Sequence, residues 1–245
     1  MKWILVVLAV FIFENSWAQN NDMQRFAKLE DLGADPAQIV VKNDSIPLLI
    51  PRKKNGLFGF VNQNGKFVIQ PQYSNVGFFA EDCNLTSSSN QNARKYGSNQ
   101  YASVRKNNID YRIDAKGRNV YKFVDSDLAS CPPQFKKQKF NAYTQNGFYG
   151  IINNQTFKDP LDYKQYSIYP QYQYLYILEG DDLNNPMIIA VHNDMFGIVD
   201  VNNNIIVPFI YEDIKRNFSW KLARLFEVTQ NGVDYFYVDQ HNQRY

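Results

Sequence analysis

A chain of 245 residues with two histidines and two cysteines has few side chains from which to build a metal centre or a nucleophilic triad. His192 falls in a predicted strand and His241 beside the final turn, at no spacing that matches a ligand pair or a catalytic set. Asp200, Asn202 and Asn204 follow the first half of a calcium loop. Ile205, however, stands where such a loop needs glycine, and Tyr211 stands where it needs a bidentate glutamate. Glu179-Gly180-Asp181-Asp182 is rich in oxygen ligands but reads as a solvated loop. The expectation is a protein with no metal site, no cofactor and no catalytic activity.

The densest chemical feature is a run of tyrosines, Tyr163, Tyr166, Tyr169, Tyr172, Tyr174 and Tyr176. Tyrosine offers a large contact area at small entropic cost, so it suits protein interfaces and stacking on sugar rings as well as a packed β core. Tyr163, Lys164, Tyr166, Tyr169, Tyr174 and Tyr176 are the candidate partner-binding residues, with Asp159 and Asp162 nearby to supply charge complementarity. Phe135-Lys136-Lys137-Gln138-Lys139-Phe140 interleaves charge with aromatics as nucleic-acid grooves do. A formal net charge of +2 gives no field to support that use, so nucleic acid is not an expected partner. Arg52-Lys53-Lys54 reads as a solvated hairpin end.

These residues must be positioned by a chain whose first twenty residues set its destination. Met1 and Lys2 precede an apolar run from Trp3 to Phe13, and Ser16 and Ala18 are small residues at the positions a leader peptidase reads. Eleven apolar residues reach roughly 16 Å as a helix against a hydrocarbon core of about 30 Å, which favours a signal peptide over an anchor. Cleavage after Ala18 would leave Gln19 as the mature start, in the periplasm or outside the cell, with no membrane span. Export permits a Cys83–Cys131 disulfide, closing a loop of about fifty residues worth roughly 4 kcal/mol in the chain-entropy model. A pair of buried free thiols is the alternative. Asn84 to Gln100, with Ser87-Ser88-Ser89, reads as a mobile loop containing the glycosylation pattern Asn84-Leu85-Thr86.

The rest of the chain is organised by an internal repeat. Gly56-Leu57-Phe58-Gly59-Phe60-Val61-Asn62 and Asp194-Met195-Phe196-Gly197-Ile198-Val199-Asp200 align without a gap at an offset of 138, and the match continues through Tyr73 and Tyr211. A third copy begins at Phe148-Tyr149-Gly150-Ile151-Ile152-Asn153 and reaches Pro170-Gln171-Tyr172 after about eight inserted residues, tyrosine-rich ones. Weaker copies are Tyr111 to Arg118 and Phe236 to Asp239, the last lacking its third strand. Each unit reads as a β-meander. A strand (Ile46 to Ile50, Met187 to Val191, Leu225 to Val228) meets a tight turn such as Lys54-Asn55-Gly56 or Gln230-Asn231-Gly232. The second strand carries the aromatic-glycine pair, and a turn such as Asn62-Gln63-Asn64-Gly65 leads to a third strand ended by proline.

This unit resembles the WG (KWG) repeat family, whose motif is aromatic-Gly, an aliphatic, Asp or Asn, a turn with glycine, aliphatics, then proline and tyrosine. Residues 56–76 and 195–214 fit it best. Phe58, Tyr149 and Phe196 replace the usual tryptophan, and Tyr111 takes the glycine position in the second unit. The resemblance implies a binding role and transfers no catalytic residue.

The predicted architecture is therefore all-β: about five β-hairpin repeats in a propeller-like ring or an open solenoid, with a short N-terminal helix. Residues 1–18 are the leader, 19–45 a helix (Asp22 to Leu32) and strand segment, and 46–245 the repeat domain. Gln38-Ile39-Val40-Val41 is an unassigned strand that could complete the last unit and close a ring. The expected function is recognition of another protein, in its sharper form an inhibitor or immunity-type protein that neutralises an envelope-acting toxin or effector. The alternative is a cell-wall or extracellular glycan-binding module.

Overall fold

The computed structural model describes residues 42–131, 138–180 and 182–245. The expected leader, the helix from Asp22 to Leu32, the strand from Gln38 to Val41 and the first half of the Phe135–Phe140 run lie outside them. The described chain is all-β, in five antiparallel sheets that follow one another in sequence. The first holds β1 (Ile50–Lys54), β2 (Leu57–Val61) and β3 (Phe67–Tyr73). The second holds β4 (Asn75–Phe79), β5 (Ala102–Lys106), β6 (Ile109–Ile113) and β7 (Asn119–Phe123). The third holds β8 (Phe140–Gln145), β9 (Phe148–Asn153) and β10 (Tyr166–Tyr172). The fourth holds β11 (Tyr174–Ile177), β12 (Ile188–His192), β13 (Met195–Val199) and β14 (Ile205–Tyr211). The fifth holds β15 (Asp213–Ile214), β16 (Phe226–Thr229) and β17 (Tyr235–Val238).

Local sequence explains the hairpins. Asn55-Gly56 and Asn146-Gly147 have φ of 51° and 81° in both pairs, and Asn107-Asn108 and Asn193-Asp194 are also left-handed at both positions. That is the requirement of a type I′ turn, the two-residue turn whose twist matches the strands it joins. Pairing runs right up to the turn, so β1 spans Ile50–Lys54 and not the expected Ile46 to Ile50. The second turn is built by one side chain. The Oδ1 atoms of Asn62, Asp114, Asp200 and Asp239 each accept two backbone N–H groups, two and four residues ahead. Gly65, Gly117, Asn203 and Asn242 supply the left-handed residue within these turns.

The aromatic-glycine pair has a geometric cause. Between Phe58↔Tyr73 and Phe60↔Ile69, one residue on β2 faces three on β3, and the same bulge recurs between Tyr149↔Tyr172 and Ile151↔Ile168 and between Phe196↔Tyr211 and Ile198↔Val207. The bulge presses its backbone onto the glycine. A Cβ on Gly59 would land on the Ile69 carbonyl and 2.7 Å from Pro71 N, one on Gly150 2.7 Å from Pro170 N, and one on Gly197 2.8 Å from the Val207 carbonyl. In the second unit Asp110↔Phe123, Tyr111↔Lys122 and Arg112↔Tyr121 pair in regular register, so nothing crowds Tyr111.

Each long third strand bends at one residue and continues as the outer strand of the next sheet. Ser74, Gln173 and Glu212 make the bend, and their N–H groups donate to the carbonyls of Arg105, Val191 and Thr229 at 2.8–2.9 Å. The repeat's tyrosine clasps the units together: Tyr73 Oη donates to the Gly117 carbonyl, Tyr172 Oη to Asn203 Oδ1 at 2.7 Å and Tyr211 Oη to Asn242 Oδ1 at 2.6 Å. Burial pushes all three phenols above their usual range.

The core lies between sheets. Phe60, Ile69 and Tyr73 of the first meet Ala102, Val104 and Ile113 of the second. Ile151, Ile168 and Tyr172 of the third meet Ile188 and Ala190 of the fourth, and Ile198 and Tyr211 of the fourth meet Phe226 and Val228 of the fifth. Ile46, Ile50 and Val61 share a cluster with Ala223, Leu225 and Tyr245, so the first and last sheets also pack together. The fifth unit keeps a stub of its third strand, the Val238↔Arg244 bridge.

The expected mobile loop from Asn84 to Gln100 is corrected by the structure. It contains two short helices, α1 (Cys83–Thr86) and α2 (Gln91–Lys95), capped by the Asp82 and Asn90 side chains, with Leu85 and Ala93 fully buried. Arg112 holds this segment from beneath at 1% exposure. Its guanidinium donates to the carbonyls of Tyr96, Ala80 and Ser98 and to Ser103 Oγ, with Asp82 3.9 Å away. Burial lowers its pKa to about 10, which still leaves it charged at neutral pH. Low apolar content was a poor guide here because a buried cation and a covalent link do the ordering. Cys83 and Cys131 form that link, a disulfide with Cα atoms 5.5 Å apart, which ties α1 to the chain beyond β7.

Candidate functional site

The insertion that interrupts the third unit, residues 154–165, is a loop organised by its own side chains. Gln165 Oε1 accepts the N–H groups of Lys158 (2.7 Å) and Asp159 (3.1 Å), and Gln165 Nε2 donates to Asp162 Oδ2. Asp159 Oδ1 accepts Leu161 N–H at 2.9 Å, and Asp162 Oδ1 accepts Lys164 N–H at 3.1 Å at the start of a short 3-10 turn, Tyr163–Gln165. Tyr166 Oη donates to the Pro160 carbonyl at 2.9 Å. These bonds hold Leu161 at 86% exposure and Tyr163 at 67%, the former the most exposed large apolar residue among those described.

Beneath the loop lies an aromatic cluster. Tyr166 is its centre, with ring centroids 5.1 Å from Phe157, 5.7 Å from Tyr143 and 5.3 Å from Tyr169. Tyr166 is buried and supports the loop without presenting its ring to solvent, whereas Tyr169 is half exposed at the cluster's edge. Lys164 Nζ lies 5.9 Å from the Tyr163 ring centroid, which places a positive charge beside the exposed aromatic.

Tyr174 and Tyr176 belong to a different group. The chain bends at Gln173, so Tyr172 ends the third sheet and sits in its core, while Tyr174 and Tyr176 lie on β11 of the fourth. Arg216 gathers them, donating from Nη1 to Tyr174 Oη at 2.7 Å with its Cζ 5.5 Å and 5.7 Å from the two ring centroids. The six candidates are thus two sets: Tyr163, Lys164, Tyr166 and Tyr169 around the loop, and Tyr174 and Tyr176 around Arg216. Sequence reasoning missed Leu161 and Arg216. An apolar residue framed by Asp159-Pro160 and Asp162 carries a signal for the first, since those neighbours keep it out of a strand. No local pattern announces Arg216, which lies 42 residues from Tyr174.

Other polar groups find structural employment. Asp200 and Asn204 close the turn after β13, which explains the likeness to half a calcium loop. Glu179 Oε2 lies 3.4 Å from Lys221 Nζ, and Asp182 Oδ1 accepts the N–H groups of Asn184 and Asn185. The His192 ring packs against Tyr172 and Phe209. Among the described residues no group of three His, Cys, Asp or Glu side chains is placed to share a metal ion, and no helix is long and apolar enough to cross a membrane. A cavity of about 310 Å³ opens between the segment before β1, the loop before β12 and the fifth unit, lined by Ile46, Met187, Trp220, Arg224, Asp182 and Asp239.

Comparison with known proteins bears on the repeat rather than on the loop. A crystal structure of a eukaryotic initiation factor aligns over 86% of this chain and 57% of its own, at 11% identity and a TM-score of 0.27. This chain therefore spans little more than half the length of that one, and the likeness carries no argument. No curated protein matches the chain. The family profile of the WG-containing repeat matches residues 58–83 and 196–224, which begin on the aromatic-glycine strands β2 and β13. With the glycine, bulge, turn and tyrosine clasp accounted for in both segments, the chain is one that carries WG-containing repeats in its first and fourth units.

Proposed function

We propose that this is an exported, non-catalytic protein that recognises another protein through the loop of its third unit. The observation that carries the reading is the loop's preorganisation. Leu161 and Tyr163 are held exposed while the loop's backbone donors are satisfied internally, so little ordering entropy remains to oppose association. Lys158, Lys164, Asp159 and Asp162 rim these two anchors with both signs of charge, the pattern of an interface core with a polar edge. The leader-like N-terminus and the Cys83–Cys131 bridge support an oxidising destination, periplasmic or extracellular. In that setting the sharper form is an inhibitor or immunity-type protein directed at an envelope-acting toxin or effector.

The test is affinity capture from envelope extract with the wild-type chain and a Leu161→Ala/Tyr163→Ala double variant, the bound species being identified and its affinity then measured. Both side chains are exposed, so the variant should keep the wild-type melting temperature while binding at least tenfold more weakly, about 1.4 kcal/mol. Equal capture by the two proteins would overturn the assignment of the loop. Retention of both on cell-wall polysaccharide, with no protein bound, would overturn the protein-recognition reading in favour of glycan.

A further inference from the structure

The dipeptide Asn-Gly occurs four times in the chain, as Asn55-Gly56, Asn64-Gly65, Asn146-Gly147 and Asn231-Gly232. Such a pair is open to an internal reaction, because glycine has no side chain to shield its backbone nitrogen from the asparagine carboxamide and leaves the backbone free to turn. All four pairs are exposed to solvent. They differ in what holds the two groups that would react, the glycine nitrogen and the asparagine Cγ.

At Asn64 the nitrogen is engaged, since Gly65 N–H donates to the Asn62 carbonyl at 2.8 Å. At Asn231 the carboxamide is engaged. Its Oδ1 accepts the N–H groups of Val233 at 3.0 Å and Asp234 at 2.8 Å and the Thr229 hydroxyl at 3.1 Å, and its Nδ2 donates to Asp234 Oδ2 at 3.1 Å. At Asn55 and Asn146 neither the glycine N–H nor the asparagine side chain has a hydrogen-bond partner among the described residues. A Cβ on Gly56 or Gly147 would meet nothing within 4 Å, so the space about each nitrogen is open. Both asparagines also stand at a φ of 51°, and turning away from it relieves a conformation that costs a residue with a side chain. Asn146 and Asn231 form a matched pair, each inside the same tetrapeptide, Thr-Gln-Asn-Gly, at residues 144–147 and 229–232. Up to the glycine, the fold alone separates them.

We propose that Asn55 and Asn146 are sites of spontaneous deamidation in the folded protein, and that Asn64 and Asn231 are held out of the reaction. The Gly56 or Gly147 nitrogen gives its proton to solvent base and attacks the asparagine Cγ. A C–N bond forms, the Cγ–Nδ2 bond breaks, and the amide nitrogen takes up a proton and leaves as ammonia, closing a succinimide ring. Water then opens the ring at either carbonyl, to aspartate or to isoaspartate. Aspartate suits the same left-handed turn. Isoaspartate adds a methylene to the backbone and so lengthens a turn whose fit to its strands depends on its length. At Asn55 the new carboxylate follows Lys53 and Lys54, and at Asn146 the altered turn adjoins Gln145, whose Oε1 accepts Tyr166 Oη at 3.3 Å. The proposal does not depend on the role of the third unit's loop.

The experiment is incubation of the purified protein in mildly alkaline buffer. Peptide mass spectrometry at intervals reads the amide-to-acid mass gain at each site, and chromatography separates aspartate from isoaspartate. In the folded protein Asn55 and Asn146 should convert at least about tenfold faster than Asn64 and Asn231, since bringing the Asn231 Cγ onto Gly232 N breaks several hydrogen bonds at once. In urea, which unfolds the chain, Asn146 and Asn231 should react at similar rates. Asp234→Ala, at an exposed position, removes the acceptor of Asn231 Nδ2 and should speed Asn231 while leaving Asn146 unchanged. Asn231 reacting as fast as Asn146 in the folded protein, or the two differing as much in urea as in the fold, would overturn the proposal. So would the absence of conversion at Asn55 and Asn146 in folded protein under conditions where the unfolded chain reacts.

Discussion

Replacing Gly59 by alanine tests the physical account of the repeat at its tightest point. The new methyl would lie 2.7 Å from Pro71 N and 2.8 Å from the Gln70 carbonyl carbon, with the Ile69 carbonyl oxygen nearer still. Ordinary contact begins at 3.4 Å, so the β3 bulge must retreat by at least about 0.7 Å, and by more at the Ile69 carbonyl. Backbone cannot rotate away as a side-chain end can, and the retreat pulls on Ile69 and Tyr73, both in the core shared with the second sheet. Overpacking of this kind costs about 1 to 3 kcal/mol, which for a chain of this size lowers the melting temperature by about 2 to 12 °C. Gly77→Ala is the internal control, because its methyl would meet only the Ser103 carbonyl at 3.8 Å and should change stability by no more than about 0.5 kcal/mol. Urea unfolding of both variants, compared at unchanged slope, measures the difference. A Gly59→Ala protein as stable as wild type would refute the claim that the bulge, and not chain flexibility, requires the glycine.

Arg112→Met should cost on the order of 3 to 5 kcal/mol, since it strands the carbonyls of Tyr96, Ala80 and Ser98. Hydrogen exchange should rise first in residues 81–100, and uniform protection there would contradict the assigned role. Cys83→Ser with Cys131→Ser should lose about 2 to 4 kcal/mol, read as a melting difference that disappears when wild type is reduced. Glu227 has its pKa raised by burial, against the hydrogen bond from Asn217 and the charge of Lys215. A raised folded pKa means that stability is fully present below the ordinary glutamate range and falls as pH rises through the folded value. Glu227→Gln should therefore match wild type in acid and exceed it at neutral pH, and a difference of opposite sign in melting curves against pH would show the carboxylate to be well paired.

Much of the scaffold was legible because its signals are local. Asn55-Gly56 and Asn146-Gly147 announce their hairpins through the left-handed backbone those residues tolerate. The glycine at 59 and 197 was recognisable as a position with no room for a side chain, although the bulge that takes the room appears only in the pairing register. The candidate site was legible in outline alone. A tyrosine-rich insertion stands out in the alignment of units, but Tyr166 and Tyr163 have the same side chain and opposite fates, one buried at the centre of an aromatic cluster and one exposed on a turn. Two-residue alternation does not separate them, since Tyr163–Gln165 form a 3-10 turn and the strand starts only at Tyr166.

By itself, then, the sequence determined the all-β class, the repeated turns, and the glycine and tyrosine positions of the motif. Each depends on residues that are adjacent in the chain or repeated along it. Only the tertiary structure decided that Tyr73, Tyr172 and Tyr211 clasp the next unit's turn, that Arg112 orders the segment from Ala80 to Tyr101, and that the first and fifth sheets share a core. It also decided that Arg52, opposite Gly59, is half-buried at the register position where Val104 and Ala190 lie in apolar cores. Burial is set by which sheet comes to lie against a given face. That neighbour is chosen by the packing of the whole array, so identical turns and strands can present a core residue in one unit and a charged one in another.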